Sequence, residues 1–181
     1  MSNAGWIELP AWAQADENRR QHIARVVRLL EAWSRRMALD ASEALCWRDA
    51  GRWHDALRDA PLGALRSLVP DVDYPAEMLH GPAAAIRLVE DGEDRADVLD
   101  AVRFHTVGCP WWGRTGRALY MADYLEPDRL FSGIDGEALR SRVPTDFEGC
   151  FREVVQRRLE WALRAGHPLF PDTVALWNSL Q

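Results

Sequence analysis

Three observations predict an all-α fold for this chain of 181 residues. Apolar residues recur at spacings of three and four along most of its length. Stretches that alternate polar with β-branched or other apolar residues are nearly absent. Proline, glycine and capping residues stop and start the helical runs. Repeats, low-complexity tracts and long Ser/Gly linkers are missing too, so the expected organisation is an N-terminal segment, 1–18, followed by one domain over 19–181 that includes C-terminal helices.

The first helix is expected over Arg19–Ala38, where Ile23, Val26, Val27, Leu30 and Trp33 form one stripe and His22 sits four residues before Val26. A second is expected from Ser42 to about Leu57. There Trp47, Ala50 and His54 share a face, with Arg48, Asp49 and Arg52 pointing outward. Pro61 and the Pro70–Pro75 stretch interrupt the pattern around a short helix, Leu62–Leu68. Gly81-Pro82 opens a helix over Ala83–Val89, since proline is tolerated in a first turn. Asp94–His105 follows with Val98, Ala101, Val102 and His105 on one face. After a Gly108–Gly113 loop, Thr115–Leu125 places Asp123 on the stripe of Gly116, Leu119 and Tyr120, and Glu126-Pro127 stops it. Thr145-Asp146-Phe147-Glu148 reads as a capping box opening a long helix that ends at Gly166, and a short helix near Thr173–Leu180 completes the chain.

Composition narrows the function classes. A net charge of −6 argues against electrostatic coating of DNA or RNA. All 22 basic residues are arginine, so any phosphate-binding cation must be a planar guanidinium fork. No apolar run is long enough to span a bilayer and no signal peptide is visible. Cys46, Cys109 and Cys150 lie far apart without a CxxC pair, which suits a reducing compartment; the cytoplasm is the expected location.

The chemistry-bearing pattern is His22, then His54-Asp55, His80, His105 and Asp123. A single histidine on an apolar face is more often a satisfied core residue than a ligand. Here His22, His54, His105 and Asp123 all fall at inward helix positions, and several buried imidazoles with a carboxylate would be costly without partners. Divalent metal ions would satisfy them together, because neutral imidazole nitrogens and carboxylate oxygens are their preferred donors. His54 and Asp55 would lie about 100° apart round a helix, so that one could bind a metal directly and the other lean towards a second.

The order H…HD…H…H…D resembles that of the HD-domain metal-dependent phosphohydrolases. More narrowly the chain is similar to the YqeK branch, bacterial hydrolases that split diadenosine tetraphosphate symmetrically into two ADP. The resemblance runs from about Arg19 to Asn178 and is carried by Met78-Leu79-His80-Gly81-Pro82, by Val102-Arg103-Phe104-His105-Thr106-Val107-Gly108 and by Ala122-Asp123-Tyr124-Leu125-Glu126-Pro127-Asp128-Arg129. Pro171-Asp172-Thr173 and Asn178 resemble the family's ending. It implies an HD-domain helical bundle with a C-terminal helical extension. His22, His54, Asp55 and Asp123 would hold one metal, and His80 and His105, with Asp55 as a bridge, a second. Iron is the family's usual occupant, and the ligand set also admits manganese or other divalent ions. A water or hydroxide bridging the pair would attack phosphorus, so no Ser or Cys nucleophile is needed.

The same resemblance implies a catalytic contribution from Asp55 and Arg58, and substrate contacts from Arg58, Thr106, Gly108, Glu126 and Arg129. It also admits a homodimer. Two departures stand out. Arg58 occupies the place of a phosphate-contacting lysine, and Trp111-Trp112 replaces smaller residues. An indole there could stack on adenine, but a lid over the core is the preferred reading. Arg103, Arg114 and Arg117 also flank the motifs; for the last two a solvated helix face is preferred. His167, outside the motif order, is read as a loop residue without a catalytic role. The rival functions are an HD-type nucleotidase with another phosphate ester as substrate, and a nucleotide sensor without turnover.

Overall fold

The computed structural model describes residues 7–128 and 135–181, and among these it contains helices and no strand. The helices are α1 (Glu17–Arg36), α2 (Ala41–Trp53), α3 (Leu62–Leu68), α4 (His80–Glu90), α5 (Ala96–Phe104), α6 (Arg114–Leu125), α7 (Asp135–Arg142), α8 (Phe147–Ala165) and α9 (Pro171–Asn178), with a 3-10 turn at Ala76–Met78. Asp16 and Asp40 cap α1 and α2, each accepting the backbone N–H three residues on, as N-cap carboxylates do.

Helix α6 is the central element, packed against α1, α2, α5, α7 and α8. Its apolar side chains join Val26, Leu30, Trp33, Trp47 and Phe151 in the larger core cluster. A second cluster joins α3, α4 and α5 through Leu65, Leu79, Leu88 and Val102. Trp53 packs on both clusters, at the end of α2 where the chain must bring His54 and Asp55 inward. None of the described helices is long and apolar enough to cross a membrane.

Several elements depart from sequence expectation for identifiable reasons. Helix α2 ends at Trp53 instead of continuing to Leu57. His54 caps it, and residues 54–59 form turns tied to the N-terminal segment by Gln14 N–H to Ala56 O at 2.7 Å and Asp59 N–H to Gln14 O at 3.1 Å. A continued helix would hold His54 and Asp55 about 100° apart, whereas the turn lets both point inward. Asp49, expected outside, is buried and accepts Arg95 Nη2 at 2.8 Å. Asp146, not Thr145, caps α8: its carboxylate accepts Gly149 N–H, while Thr145 Oγ1 donates to Arg142 O in the preceding turn. Gly166 ends α8 in the left-handed conformation expected of a C-terminal stop. Helix α7 has no counterpart in the sequence reading, because it lacks an apolar stripe and is held through Leu139 with polar links such as Trp33 Nε1 to Arg140 O.

The C-terminal helices are fastened to the α5–α6 loop. Gly108 adopts φ +88°, and a Cβ there would lie 2.5 Å from Leu176 Cδ2 of α9. Thr173 Oγ1 donates to Val107 O at 2.6 Å. Gly108→Ala therefore meets both backbone strain and a clash, and is expected to destabilise the protein by about 1–3 kcal/mol in urea denaturation. Adding Leu176→Ala should recover no part of the backbone term, so the double variant remains less stable than Leu176→Ala alone.

Candidate metal centre

Five elements deliver the six predicted residues to one buried locus. His22 comes from the second turn of α1, and His54 and Asp55 from the turn after α2. His80 opens α4, His105 caps α5, and Asp123 lies in the last turn of α6. All six are buried, His54 completely. Their donor atoms divide into two trios, His22/His54/Asp123 and Asp55/His80/His105, each compact enough to hold a metal ion.

In the first trio, His22 Nε2 lies 3.3 Å from His54 Nε2 and 3.2 Å from Asp123 Oδ1, and His54 Nε2 lies 3.8 Å from that oxygen. In the second, Asp55 Oδ1 lies 3.0 Å from His80 Nε2 and 3.4 Å from His105 Nε2, with 3.0 Å between the two nitrogens. The other Asp55 oxygen, Oδ2, faces the first trio at 3.7 Å from both His22 and His54 Nε2. Metal–nitrogen bonds of about 2.1 Å would separate neighbouring donors by about 3.0 Å at a right angle or about 3.4 Å at a tetrahedral angle. The spacings match.

Tautomers give a second test of fit. His54 Nδ1 sits 2.8 Å from Gly51 O and His105 Nδ1 2.8 Å from Val102 O, acceptors that require N–H on that side. Glu126 Oε1 does the same for His22 Nδ1 at 3.2 Å. The Nε2 atoms therefore point into the centre, where a proton or a metal ion between His22 and His54 offsets the repulsion of two lone pairs across 3.3 Å. His80 Nδ1 is buried without a hydrogen-bond partner among the described residues, so this ring is committed to the centre through Nε2.

The electrostatics differ from donor to donor: His54 and Asp55 are held in their metal-binding forms, whereas without a metal His22 retains a proton that a cation would have to displace. Burial holds the His54 imidazole down at about 3, leaving it neutral. Burial would raise Asp55, but the surrounding histidines outweigh it and keep the carboxylate well below its usual range. For His22 burial acts downward, yet Asp123, Glu126 and Asp55 carry it up to about 9. Burial acts upward on Glu126, and His22 and Arg25 bring it down to about 2.

The centre opens into a cleft of about 780 Å3. Arg58 lines it and makes no ion pair or side-chain hydrogen bond among the described residues. Thr106 also lines it, its carbonyl accepting Arg158 Nη2 at 3.3 Å. Glu126 faces the cleft and holds His22 and Arg25 together, with Arg25 Nε donating at 2.5 Å. Gly108 lies outside the cleft, beneath Leu176. Arg129 lies outside the described residues. Arg114 pairs with Glu43 on an exposed face, whereas Arg117, which pairs with Glu148, is partly buried over Phe151 and donates to Trp112 O at 3.0 Å. Trp112 is buried in the core and Trp111 is exposed away from the cleft.

Sequence reasoning passed over Arg19, Arg158 and Trp161, which also line the cleft, as does His167, which it read as a loop residue without a catalytic role. Arg19 donates to Asp55 Oδ2 at 2.6 Å, and its place three residues before His22 was the available signal. The others come from the α8–α9 region, where no motif flags them.

No protein-family profile matches the chain. The fold is similar to a crystal structure from Clostridium acetobutylicum described as a predicted HD superfamily hydrolase involved in NAD metabolism, with TM-score 0.77 and 26% identity over 91% of this chain and 89% of that one. The fold and the paired trios thus define an HD superfamily hydrolase. Among curated proteins, the chain is 32% identical over 139 residues to a symmetrical bis(5'-nucleosyl)-tetraphosphatase of Halalkalibacterium halodurans, covering 72% of this chain and 73% of that protein. It is 28% identical over 175 residues to the Bacillus subtilis enzyme of the same name, covering 92% and 91%. The chain belongs to the symmetrical bis(5'-nucleosyl)-tetraphosphatase family, in the HD superfamily.

Removing metal should leave a distinctive pH profile. His22 is raised from 6.5 to about 9, so its pairing contributes fully below pH 6.5 and is lost as pH rises through 9, on the order of 3 kcal/mol. Glu126 is lowered from 4.5 to about 2, so its contribution is present above pH 4.5 and is lost as pH falls through 2. Chelator-treated protein is expected to lose urea resistance between pH 6.5 and 9; an unchanged midpoint across that window contradicts the assignment.

Proposed function

We propose that this protein is a di-metal phosphohydrolase that splits diadenosine tetraphosphate into two ADP. The observation that carries the reading is the convergence of two His/Asp trios on one shared carboxylate, Asp55, beneath an arginine-lined cleft in a chain of this family. His22, His54 and Asp123 would hold one divalent ion and His80 and His105 the other, with Asp55 between them. Bound there, the ions supply Lewis acidity and a water made acidic enough to attack phosphorus near neutral pH. Iron is the proposed metal, with manganese compatible with the same donors.

The protein's own groups do the rest. Arg19 holds Asp55 Oδ2, and Glu126 fixes the His22 ring with its Nε2 inward. Arg58 is available to the polyphosphate, and as a bidentate fork it would neutralise charge on the phosphoryl oxygens as the attack proceeds. Thr106 and Glu126 line the substrate's path, and Arg129 and Gly108 are carried from the family resemblance alone. One water is consumed and the central anhydride P–O bond breaks, giving two ADP and, near neutral pH, two protons. In this reading the enzyme acts in the cytoplasm on a free nucleotide, not on DNA or RNA, and its homodimer is checked by light scattering.

Metal analysis of the purified protein, followed by product identification on nucleotides and dinucleoside polyphosphates, tests the reading. Bound metal with two ADP from diadenosine tetraphosphate is expected. Hydrolysis of a nucleoside monophosphate with this substrate left intact would overturn the substrate and keep the hydrolase. Asp123→Ala should lose metal and turnover together, and Glu126→Gln should cost about 10–100-fold in metal affinity or activity. Arg58→Ala should lower kcat/KM by about 10²–10³-fold, with partial recovery in Arg58→Lys.

A further inference from the structure

Of the α8 residues that line the cleft, Arg158 and Trp161 lie about one turn apart. Arg158 lies over the Tyr120 ring at 4.1 Å, and its Nη1, 3.7 Å from Asp123 Oδ2, has no hydrogen-bond partner among the described residues. Trp161, three residues on, shares that helix face, with Cβ atoms of such pairs about 5–6 Å apart. Trp161 is 51% exposed while it lines the cleft. Trp33, Trp47 and Trp112 are spent in the core, and the exposed Trp111 lies elsewhere.

The surroundings hold this indole in a defined pose. Gly166 turns the chain so that His167 N–H donates to Ala162 O at 2.9 Å, bringing the imidazole to 4.8 Å from the indole at 35°. Pro168, Leu169 and Phe170 continue the wall. Tyr74 meets Phe170 edge-on at 5.9 Å, and its hydroxyl donates to Asp172 at 2.5 Å, tying the wall to the loop before α4. Pro168, Leu169 and Phe170 add apolar surface beside the indole, and the Tyr74 hydroxyl is turned to Asp172.

We infer that Trp161, backed by His167, is a stacking subsite for one purine base of the nucleotide whose phosphates reach the His/Asp centre past Arg158. The inference rests on the proposed nucleotide substrate and identifies how its base is held. Aromatic platforms of this kind bind a base by its face, so they favour the larger purine over a pyrimidine while reading little of its edge. A platform preset by its own contacts spends little ordering entropy on binding.

Calorimetric titration of the full-length, metal-loaded protein with ADP, CDP and inorganic tripolyphosphate tests this. Trp161→Ala is expected to weaken ADP by about tenfold or more and to abolish the preference over CDP, with tripolyphosphate binding retained. Trp161→Phe should keep most of the ADP affinity, whereas Trp161→Leu, apolar but not aromatic, should not. Unchanged ADP affinity in Trp161→Ala, or an equal loss for tripolyphosphate, overturns the subsite. The two readings fail separately. A wild type that leaves diadenosine tetraphosphate intact but binds ADP through Trp161 refutes the substrate and keeps the subsite. Turnover with an unchanged KM in Trp161→Ala does the reverse.

Discussion

One buried carboxylate organises this protein. Asp55 turns Oδ1 towards His80 and His105 and Oδ2 towards His22, His54 and Arg19. A charge in that position is tolerable only while cations or N–H donors surround it. The need explains why α2 stops where it does. It also explains why Arg19 reaches in from α1, and why three of the four imidazoles, His22, His54 and His105, are set with their Nε2 atoms inward by Glu126 and by backbone carbonyls. Everything that packs α1, α2, α4, α5 and α6 together also holds these donors in place, so core and site are one construction.

Around that centre the arginines divide by role. Arg25 is engaged by Glu126 and Arg19 by Asp55, and both steady donors rather than offering themselves to a ligand. Arg58 has no such engagement among the described residues and faces the cleft. In a lysine-free chain the guanidinium forks carry both duties, and only their carboxylate partners distinguish them. The cleft runs from this charged floor to an aromatic wall on α8 and the loop behind it. Polyphosphate and base, the two chemically unlike parts of a nucleotide, thus meet unlike surfaces.

Much of the fold was legible because amphipathic spacing and capping are local. The apolar stripe of α1, the Gly166 stop and the short α3 needed nothing beyond neighbours three or four residues away. Helix α7 was illegible because a nearly uniform polar pattern conceals its docking through Leu139. Asp49 misled for a related reason. An acid on a helix reads as exposed until a distant Arg95 is seen to bury with it.

By itself the sequence determined the residue types of the centre and the helices that deliver them, since inward phase follows from periodicity. The tertiary structure alone decided their grouping. It set which histidines share an oxygen of Asp55, turned the 54–59 segment to bring His54 and Asp55 to one side, and sent Glu126 to His22 across 104 positions. It also brought Trp161 and His167 to the mouth of the same cleft. These are contacts between side chains far apart in the chain, and helical phase determines which way a side chain points without determining what it meets.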